Sequence, residues 1–155
     1  MSIEGFKKVD SSSIPIGNLI AMISRGQSIY LNHRLGDLGI NETQLHFLFE
    51  ISHHDNLNQE RIAARCNINK GAVARSIRKL EENGFVMRTI DENNRRQNKV
   101  SLTPKGRKTL SEAIKVLKDW EDEVILEKGY VDREVLQLVL KEIAIKTMEL
   151  NEKED

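Results

Sequence analysis

Apolar side chains recur every three or four residues along most of this chain, which is the spacing of amphipathic helices. Between residues 85 and 102 the pattern changes to two short apolar runs that flank a polar stretch, as in a β-hairpin. In chain order the pattern first predicts helices over about 16–38 and from 41 onward, and then two short helices, one after Asn58 and one over 69–83. Strands are predicted over 85–90 and 99–102. Two further helices begin near 103 and 132. The predicted fold class is mainly α with a small β-hairpin.

Several of these helices begin at residues whose side chains accept hydrogen bonds from the free amides of a first turn. Asn41 and Gln44 have the spacing of a capping box, and Pro15 and Pro104 suit first-turn positions. The remaining predicted N-caps are Asn58, Asn69, Thr103 and Asp132. Gly84 suits the left-handed backbone with which many helices end.

Helical wheels predict which side of each helix is buried. Val73, Ile77 and Leu80 share one side of the helix over 69–83. The other predicted core positions are Leu45, Leu48, Phe49 and Ile51 in the second helix and Ile62, Ala63 and Cys66 in the third, with Ile68 in the following turn. After Pro104 the predicted helix runs through Leu110, Ile114, Leu117 and Val124. Two short helices that are joined by a tight turn and packed in this way form a helix-turn-helix.

The side of the 69–83 helix opposite its core residues carries Gly71, Arg75, Arg78 and Lys79. Glycine permits close approach of the backbone, and arginine contacts phosphates or pairs with guanine edges. An ordinary solvated basic face would have a similar composition. We favour a helix that enters the DNA major groove, because a basic hairpin follows it, and that is the order of parts in a winged helix-turn-helix.

The polar stretch DENNRRQN at 91–98 is the predicted tip of the hairpin. Arg95, Arg96 and Lys99 make this region cationic, so that the hairpin would reach phosphates or a minor groove. A charged tip alone is weak evidence, because solvated turns often have this composition. Its position directly after a recognition-like helix strengthens the DNA-binding hypothesis.

The distribution of charge supports the same hypothesis. The whole chain is balanced, with 24 basic and 24 acidic side chains. Between Arg61 and Lys108, however, there are 13 Lys and Arg against 4 Asp and Glu, whereas the remainder has 11 against 20. One segment is therefore suited to phosphate, and the rest of the chain offsets its charge.

The terminal helices carry more apolar surface than one small core can cover. The apolar positions are Ile16, Leu19, Ile20, Met22, Ile23, Ile29 and Tyr30 in the first helix and Val135, Leu136, Val139, Ile143 and Leu150 in the last. A partner chain explains this surface, and a two-fold dimer would present recognition helices to major grooves about 34 Å apart. A helical bundle within one chain is the alternative. The predicted parts are an N-terminal arm and dimerisation helix over 1–38, a winged domain over 39–103 and C-terminal dimerisation helices over 104–155.

Other chemistry finds little support in the sequence. No nucleophile with a neighbouring base and no phosphate-binding loop indicates an enzyme, and we expect no cofactor and no catalytic residue. His46, His53 and His54 lack zinc-ligand spacing, and Cys66 lacks an activating neighbour, so we expect neither a metal site nor redox sensing. A single cysteine, no signal peptide and no apolar stretch of ~18 residues indicate a cytoplasmic protein that does not enter membranes.

From about Ile14 to Leu150 the chain resembles the MarR (multiple antibiotic resistance regulator) family of transcriptional regulators. The most specific part is RKLEENGFVMRTIDENNRRQNKVSLTPKG, which in that family reads as recognition-helix end, strand, wing and the start of the next helix. That start has the pattern Leu-Thr-x-x-Gly, here Leu102, Thr103 and Gly106. Asn94 is a departure, because the family usually has an acidic residue before the arginine pair, and an asparagine cannot form the ion pair that would brace the wing.

The resemblance implies an obligate dimer that binds a pseudo-palindromic operator and is released by a small anionic aromatic ligand. The implied DNA-contacting residues are Asn69, Lys70, Gly71, Ala72, Arg75, Arg78 and Lys79 in the helix and Asn94, Arg95, Arg96 and Lys99 in the wing. The implied ligand cleft lies between the dimerisation helices and the winged domain. There Arg25 or His33 would bind a carboxylate and Met22 an aromatic ring, although Arg25 suits a surface ion pair equally well.

The sequence is consistent with two functions. The first is a ligand-responsive repressor that binds double-stranded DNA as a homodimer. The second is a winged-helix module that binds another protein with its basic face and lacks operator specificity. Sequence-dependent loss of DNA binding after substitution of Arg75 would favour the first function.

Overall fold

The computed structural model describes residues 2–54, 57–91, 94–125 and 132–153, without the side chains of 91 and 94–98. Its helices are α1 (Ile3–Phe6), α2 (Ile16–Asp37), α3 (Glu42–His53), α4 (Gln59–Cys66), α5 (Lys70–Glu82), α6 (Pro104–Ile125) and α7 (Arg133–Asn151), with a 3₁₀ turn at Ser11–Ser13 and strands β1 (Val86–Asp91) and β2 (Asn94–Leu102). The chain forms two compact units, one up to Leu117 and one from Lys118 onward. The predicted mainly α fold with a β-hairpin is confirmed.

The predicted capping residues determine where most of these helices begin. Asn41 and Gln44 form a complete capping box, in which each side chain accepts a hydrogen bond from the backbone amide of the other. The side chains of the other N-caps accept backbone amides at short range: Asn58 from Arg61 (2.8 Å), Asn69 from Ala72 (2.8 Å), Thr103 from Gly106 (3.0 Å) and Asp132 from Glu134 (2.8 Å). After α5, Gly84 has the predicted left-handed backbone, with φ of 74°.

The core of the first unit lies among α2, α3, α4, α5, the hairpin and the start of α6. Val73, Ile77 and Leu80 of α5 are fully buried, as predicted. The prediction for Phe49 is wrong, because its side chain is 43% exposed, whereas Phe47 is completely buried. The helical register places Phe47 beside Leu48 and Ile51 toward the core, and Phe49 instead packs against the ring of His53 at the surface.

The hairpin is longer than the sequence indicates. Antiparallel pairing continues from Val86 opposite Leu102 to Ile90 opposite Asn98, and Asp91 then pairs with Asn94 after an irregularity. Residues 94–98 therefore belong to β2, and the prediction of a polar tip over 91–98 is wrong for most of that stretch. A two-stranded ribbon that projects from the core needs no buried face, as the 67% exposure of Ile90 illustrates, so polarity does not mark the end of the strand.

The start of α6 is fixed against the end of α5. Thr103 Oγ1 donates to the carbonyl of Gly84 at 2.6 Å, and Lys105 Nζ donates to the carbonyl of Asn83 at 2.8 Å. A Cβ atom added at Gly106 would lie 1.9 Å from the carbonyl oxygen of Phe85. Only glycine permits this approach of the two backbones, which gives the Leu-Thr-x-x-Gly pattern a structural reason.

The terminal helices expose the apolar residues noted in the sequence. On α2, Ile16, Ile20, Met22, Ile23 and Ile29 are exposed, whereas Leu31 and Leu35 near its end belong to the core of the first unit. In the second unit no residue of α7 is buried, and Arg133 Nη2 donates to Asp122 Oδ1 at 2.7 Å. The exposed apolar residues of α7 are Val135, Leu138, Val139, Leu140, Ile143, Ile145, Met148 and Leu150. Ile114 and Val124 of α6 are also exposed.

No helix within the described ranges is long and apolar enough to cross a membrane.

Candidate nucleic-acid interface

Helix α5 presents a row of cations on the side opposite its core residues. Lys70, Arg75, Arg78 and Lys79 are exposed, while Val73, Ile77 and Leu80 anchor the other side to α3, α4 and β1. Ala72 is half-buried at the start of the helix. The amphipathic pattern of the sequence therefore produces a rigid helix whose donors are aimed away from the protein, as groove recognition requires.

Two of the four cations of α5 form ion pairs with carboxylates. Arg78 Nε lies 2.9 Å from Glu82 Oε1 one turn further along α5. Lys70 Nζ lies 2.9 Å from Glu60 Oε1 on α4. Arg75 and Lys79 have no ion-pair partner within the described part of the chain, so that they meet an incoming phosphate or base without first breaking a contact.

Gly71 lies beside Arg75 and the capping residue Asn69 at the start of α5. A Cβ atom added at Gly71 would lie 3.7 Å from Arg75 Nη1 and 3.5 Å from the capping oxygen of Asn69. These are ordinary contact distances, so the site would accept alanine without displacing either group. Glycine leaves the surface of α5 open at this point.

The sequence did not predict the pairing of Lys70 with Glu60, because the two residues are ten positions apart and meet only when α4 packs against α5. The pairing of Arg78 with Glu82 could have been read from their spacing of four residues, which places both side chains on one face of a helix. Both pairs are well exposed, so each contributes little to stability.

The hairpin follows α5 directly and is tied to the same domain. Glu81 Oε2 of α5 lies 3.0 Å from Arg88 Nε of β1. The amide of Val100 in β2 donates to the carbonyl of Leu57 at 2.8 Å. Lys99 lies in β2 opposite Thr89. Asn94, Arg95 and Arg96 also lie in β2, but their side chains fall outside the described part of the structure.

The predicted ligand residues lie on an exposed face of α2. Arg25 and His33 line one open cavity of about 420 Å³ together with Ser28, Ile29 and Asn32. Arg25 is exposed on α2. Met22 is exposed too and does not line this cavity. Arg25 and His33 line the same cavity because they lie about two turns apart on one face of α2.

Cys66 is half-buried, and burial raises the pKa of its thiol, with the negative charge of Glu50 acting in the same direction. Arg65 acts weakly in the opposite direction. A raised pKa keeps the less reactive thiol form, which disfavours redox sensing. Among the described residues, no group of His, Cys, Asp and Glu is arranged to hold a metal ion.

An exposed cationic helix in a helix-turn-helix, followed by a two-stranded wing, defines a winged helix-turn-helix DNA-binding protein. A model of the MarR family matches residues 40–97. The HTH-type transcriptional regulator BilQ of Clostridium symbiosum (strain WAL-14163) is 31% identical over 63% of this chain and 68% of BilQ.

Solved structures extend the likeness to nearly the whole chain. A MarR transcriptional regulator from Methanosarcina mazei Go1 is 32% identical over 88% of this chain and 96% of its own, with a TM-score of 0.72. A structure of MarR covers 94% of this chain and 98% of its own with a TM-score of 0.80 at 26% identity. The chain belongs to the MarR family, and it is a DNA-binding transcriptional regulator.

One further match concerns small molecules. CouR from Rhodococcus jostii RHA1, solved with bound p-coumaroyl-CoA, has a TM-score of 0.72 and 22% identity over 88% of this chain and 95% of CouR. At this identity the match shows a shared fold, and the ligand belongs to CouR.

Proposed function

We propose that this protein is a dimeric repressor that binds a pseudo-palindromic operator and is released by a small anionic aromatic compound. The observation that carries the proposal is the exposed row of cations on α5, with Arg75 unpaired among the described residues and the wing directly after it. Base reading is assigned to Asn69, Lys70, Gly71, Ala72, Arg75, Arg78 and Lys79, and contacts with the backbone or minor groove to Asn94, Arg95, Arg96 and Lys99.

The dimer is supported by apolar surface that the described chain leaves uncovered. Ile16, Ile20 and Ile23 repeat along one face of α2, and α7 has no buried residue at all. Exposed apolar surface of this extent marks a protein interface in soluble proteins. A two-fold axis would set two α5 helices one DNA turn apart, which is the geometry that a pseudo-palindromic operator requires. The division into 1–38, 39–103 and 104–155 is the corresponding domain assignment.

The effector proposal is supported by the cavity on α2, where the guanidinium of Arg25 and the ring of His33 are available to a carboxylate. Met22 lies outside this cavity, so the aromatic ring of the ligand would extend beyond it to contact Met22. A ligand that favours a mismatched spacing of the two recognition helices by about 1–3 kcal/mol would relieve repression. If Arg25 has this role, Arg25→Ala will bind operator normally but will no longer be released by aromatic carboxylates such as salicylate. Unchanged release would contradict the assignment of Arg25.

A regulator of this kind acts in the compartment that holds the DNA, which is the cytoplasm in bacteria such as the source of BilQ. Its function is binding, and the regulators that it resembles are not enzymes.

The operator assignment is tested by comparing Arg75→Ala with Arg95→Ala. A base-reading residue affects some sequences more than others, so Arg75→Ala should change the preferred operator and cost ~1–3 kcal/mol at the affected position. A phosphate contact affects all sequences alike, so Arg95→Ala should weaken binding evenly and lower the slope of log affinity against log salt by about one. If neither variant alters DNA binding, the assignment of α5 and the wing fails.

A further inference from the structure

A second basic site lies outside the cations of α5. An open pocket of about 440 Å³ is formed where the end of α3 meets the outer face of α4. We call it the α3–α4 pocket, and its lining residues are His53, His54, Leu57, Arg61, Ala64 and Arg65. Its volume falls within the roughly 300–1,000 Å³ of small-molecule sites. Four of these side chains carry nitrogen donors, and none has a role in the function proposed above.

Arg65 is positioned for a ligand by a neighbouring carboxylate. Its Nε forms a close ion pair with Glu50 Oε2 on α3, and His54 Nε2 lies 3.7 Å from the same oxygen. Glu50 is only 24% exposed, so this contact is better shielded than the ion pairs on α5. Because the pair uses Nε, the two terminal Nη groups of Arg65 have no hydrogen-bond partner among the described residues.

Arg61 contributes a positive charge that no carboxylate among the described residues offsets. It has no side-chain hydrogen bond or ion pair within the described ranges. Arg61, Ala64 and Arg65 are spaced so that they share one face of α4, with the small Ala64 leaving room between the two guanidinium groups. The pocket therefore keeps a positive charge after Glu50 has neutralised Arg65.

His53 offers a further polar atom at the rim of the pocket. Its Nδ1 lies 3.0 Å from the carbonyl oxygen of Phe49 and 2.8 Å from Ser52 Oγ. Both contacts engage Nδ1, so Nε2 is the ring nitrogen of His53 that has no hydrogen-bond partner among the described residues.

We propose that the α3–α4 pocket binds a phosphate group, with Arg61 and the Nη groups of Arg65 as its donors. Arginine matches phosphate because its planar N–H groups donate two parallel hydrogen bonds to two oxygens. The DNA backbone is the favoured source, because α4 is the first helix of the helix-turn-helix, and that helix crosses the backbone in such motifs. A free phosphate compound offers the same chemistry. The DNA form of the proposal rests on the function proposed above.

The first experiment needs no DNA. The full-length protein is titrated with inorganic phosphate while the ring signals of His53 and His54 are followed by NMR, with chloride at equal ionic strength as the reference. Phosphate should produce saturable shifts that chloride does not. Arg61→Ala should weaken the response about tenfold, and Arg61→Lys should fall between, because lysine keeps the charge and loses the two-pronged contact. Arg34→Ala, an exposed arginine on α2, is the matched control and should behave as wild type.

The second experiment identifies the source of the phosphate. The same variants are tested for binding to a duplex from the protein's own upstream region and to a scrambled duplex across a salt series. If DNA fills the pocket, Arg61→Ala will weaken binding to both duplexes alike and lower the salt slope by about one. If a free phosphate compound fills it, Arg61→Ala will leave the salt slope unchanged while its phosphate response is lost.

The proposal is overturned if phosphate and chloride act alike and Arg61→Ala also binds both duplexes as wild type. Circular dichroism and thermal unfolding of each variant ensure that a loss reflects the pocket and not the fold, and Arg61→Lys provides a second substitution at the same position. The operator proposal is tested separately, by whether Arg75→Ala loses its preference for the natural duplex. If the α3–α4 pocket does not bind phosphate, Arg61→Ala behaves as wild type while Arg75→Ala still loses that preference.

Discussion

Gly106 is a single residue on which the geometry of the winged domain depends. The first turn of α6 approaches Phe85 so closely that an added methyl group would lie 1.9 Å from a backbone oxygen. A backbone atom cannot rotate away as a side chain can, so Gly106→Ala must shift α6 or the start of the hairpin. We expect this substitution to lower the free energy of unfolding by about 1–3 kcal/mol, measured by urea unfolding.

The matched control for this experiment is Gly36→Ala in α2. No atom lies within 4 Å of the Cβ that this substitution adds, and the residue lies in a helix. Alanine should therefore keep or raise stability, by up to about 1 kcal/mol. Equal midpoints for the two variants would contradict the close approach of α6 to Phe85.

Cys66 gives a prediction about pH. Burial and the charge of Glu50 raise the pKa of its thiol above the ordinary value, so the thiolate is less available in the folded chain than in the unfolded one. Alkylation by iodoacetamide at pH 8 should be slower for the folded protein than for the urea-unfolded protein. A folded-state pKa above the unfolded value also means that the associated stability is complete below about pH 9 and is lost as the pH rises further. Faster alkylation of the folded protein would indicate an activated thiolate.

At the scale of the element, α5 carries carboxylates as well as cations on the face proposed to meet DNA. Glu82 holds Arg78 at 2.9 Å, and its negative charge would lie near phosphates in a complex. Glu82→Gln removes the repulsion and releases Arg78. We expect the affinity for specific and scrambled duplexes to rise together, by about two- to fivefold at low salt, in a fluorescence anisotropy titration.

Lys108 and Glu112 on α6 supply the control, because they form an exposed pair with the same spacing of four residues. Glu112→Gln changes the net charge by the same amount without touching α5. It should raise affinity less than Glu82→Gln does. Equal effects of the two variants would show that only overall charge matters, and that Glu82 has no particular position at the interface.

The elements that were predicted correctly are those whose causes are local. Asn58 and Asn69 cap α4 and α5 because each side-chain oxygen accepts a hydrogen bond from the amide three residues later in the chain. Val73, Ile77 and Leu80 are buried because their helical spacing places them on the same face of α5. The extent of β2 was not predictable from its polar residues, because pairing with β1 defines it.

The features of the candidate DNA-binding site also differ in whether their causes are local in the sequence. The cations of α5 could be read from a helical wheel, whereas the contact of Lys70 with Glu60 and the α3–α4 pocket depend on how two helices pack. Likewise, a wheel gives the spacing of Phe47 and Phe49 but not which of them α3 directs toward its neighbours.

At the scale of the whole molecule, the uncovered apolar residues of α2 and α7 predict a dimer. A charge at such a position would be buried without a partner on association, at a high cost. Ile20→Asp and Val139→Asp should each shift the protein toward the mass of a monomer in sedimentation velocity and weaken binding to a two-half-site operator.

Ile90→Asp is the corresponding control, since Ile90 is an exposed apolar residue of the hairpin. It should leave the mass in solution unchanged. A monomeric wild-type protein, or a mass unaffected by either helix variant, would contradict the proposed role of these helices.

The central claim is that this protein recognises an operator in double-stranded DNA. The most direct measurement is binding of the purified wild-type protein to a fluorescent duplex from its own upstream promoter region, against a scrambled duplex of equal length, across a salt series. We expect tight binding that prefers the natural sequence, with an affinity that falls steeply as salt rises because several phosphates are contacted. Weak binding that is equal for the two duplexes at every salt concentration would contradict it.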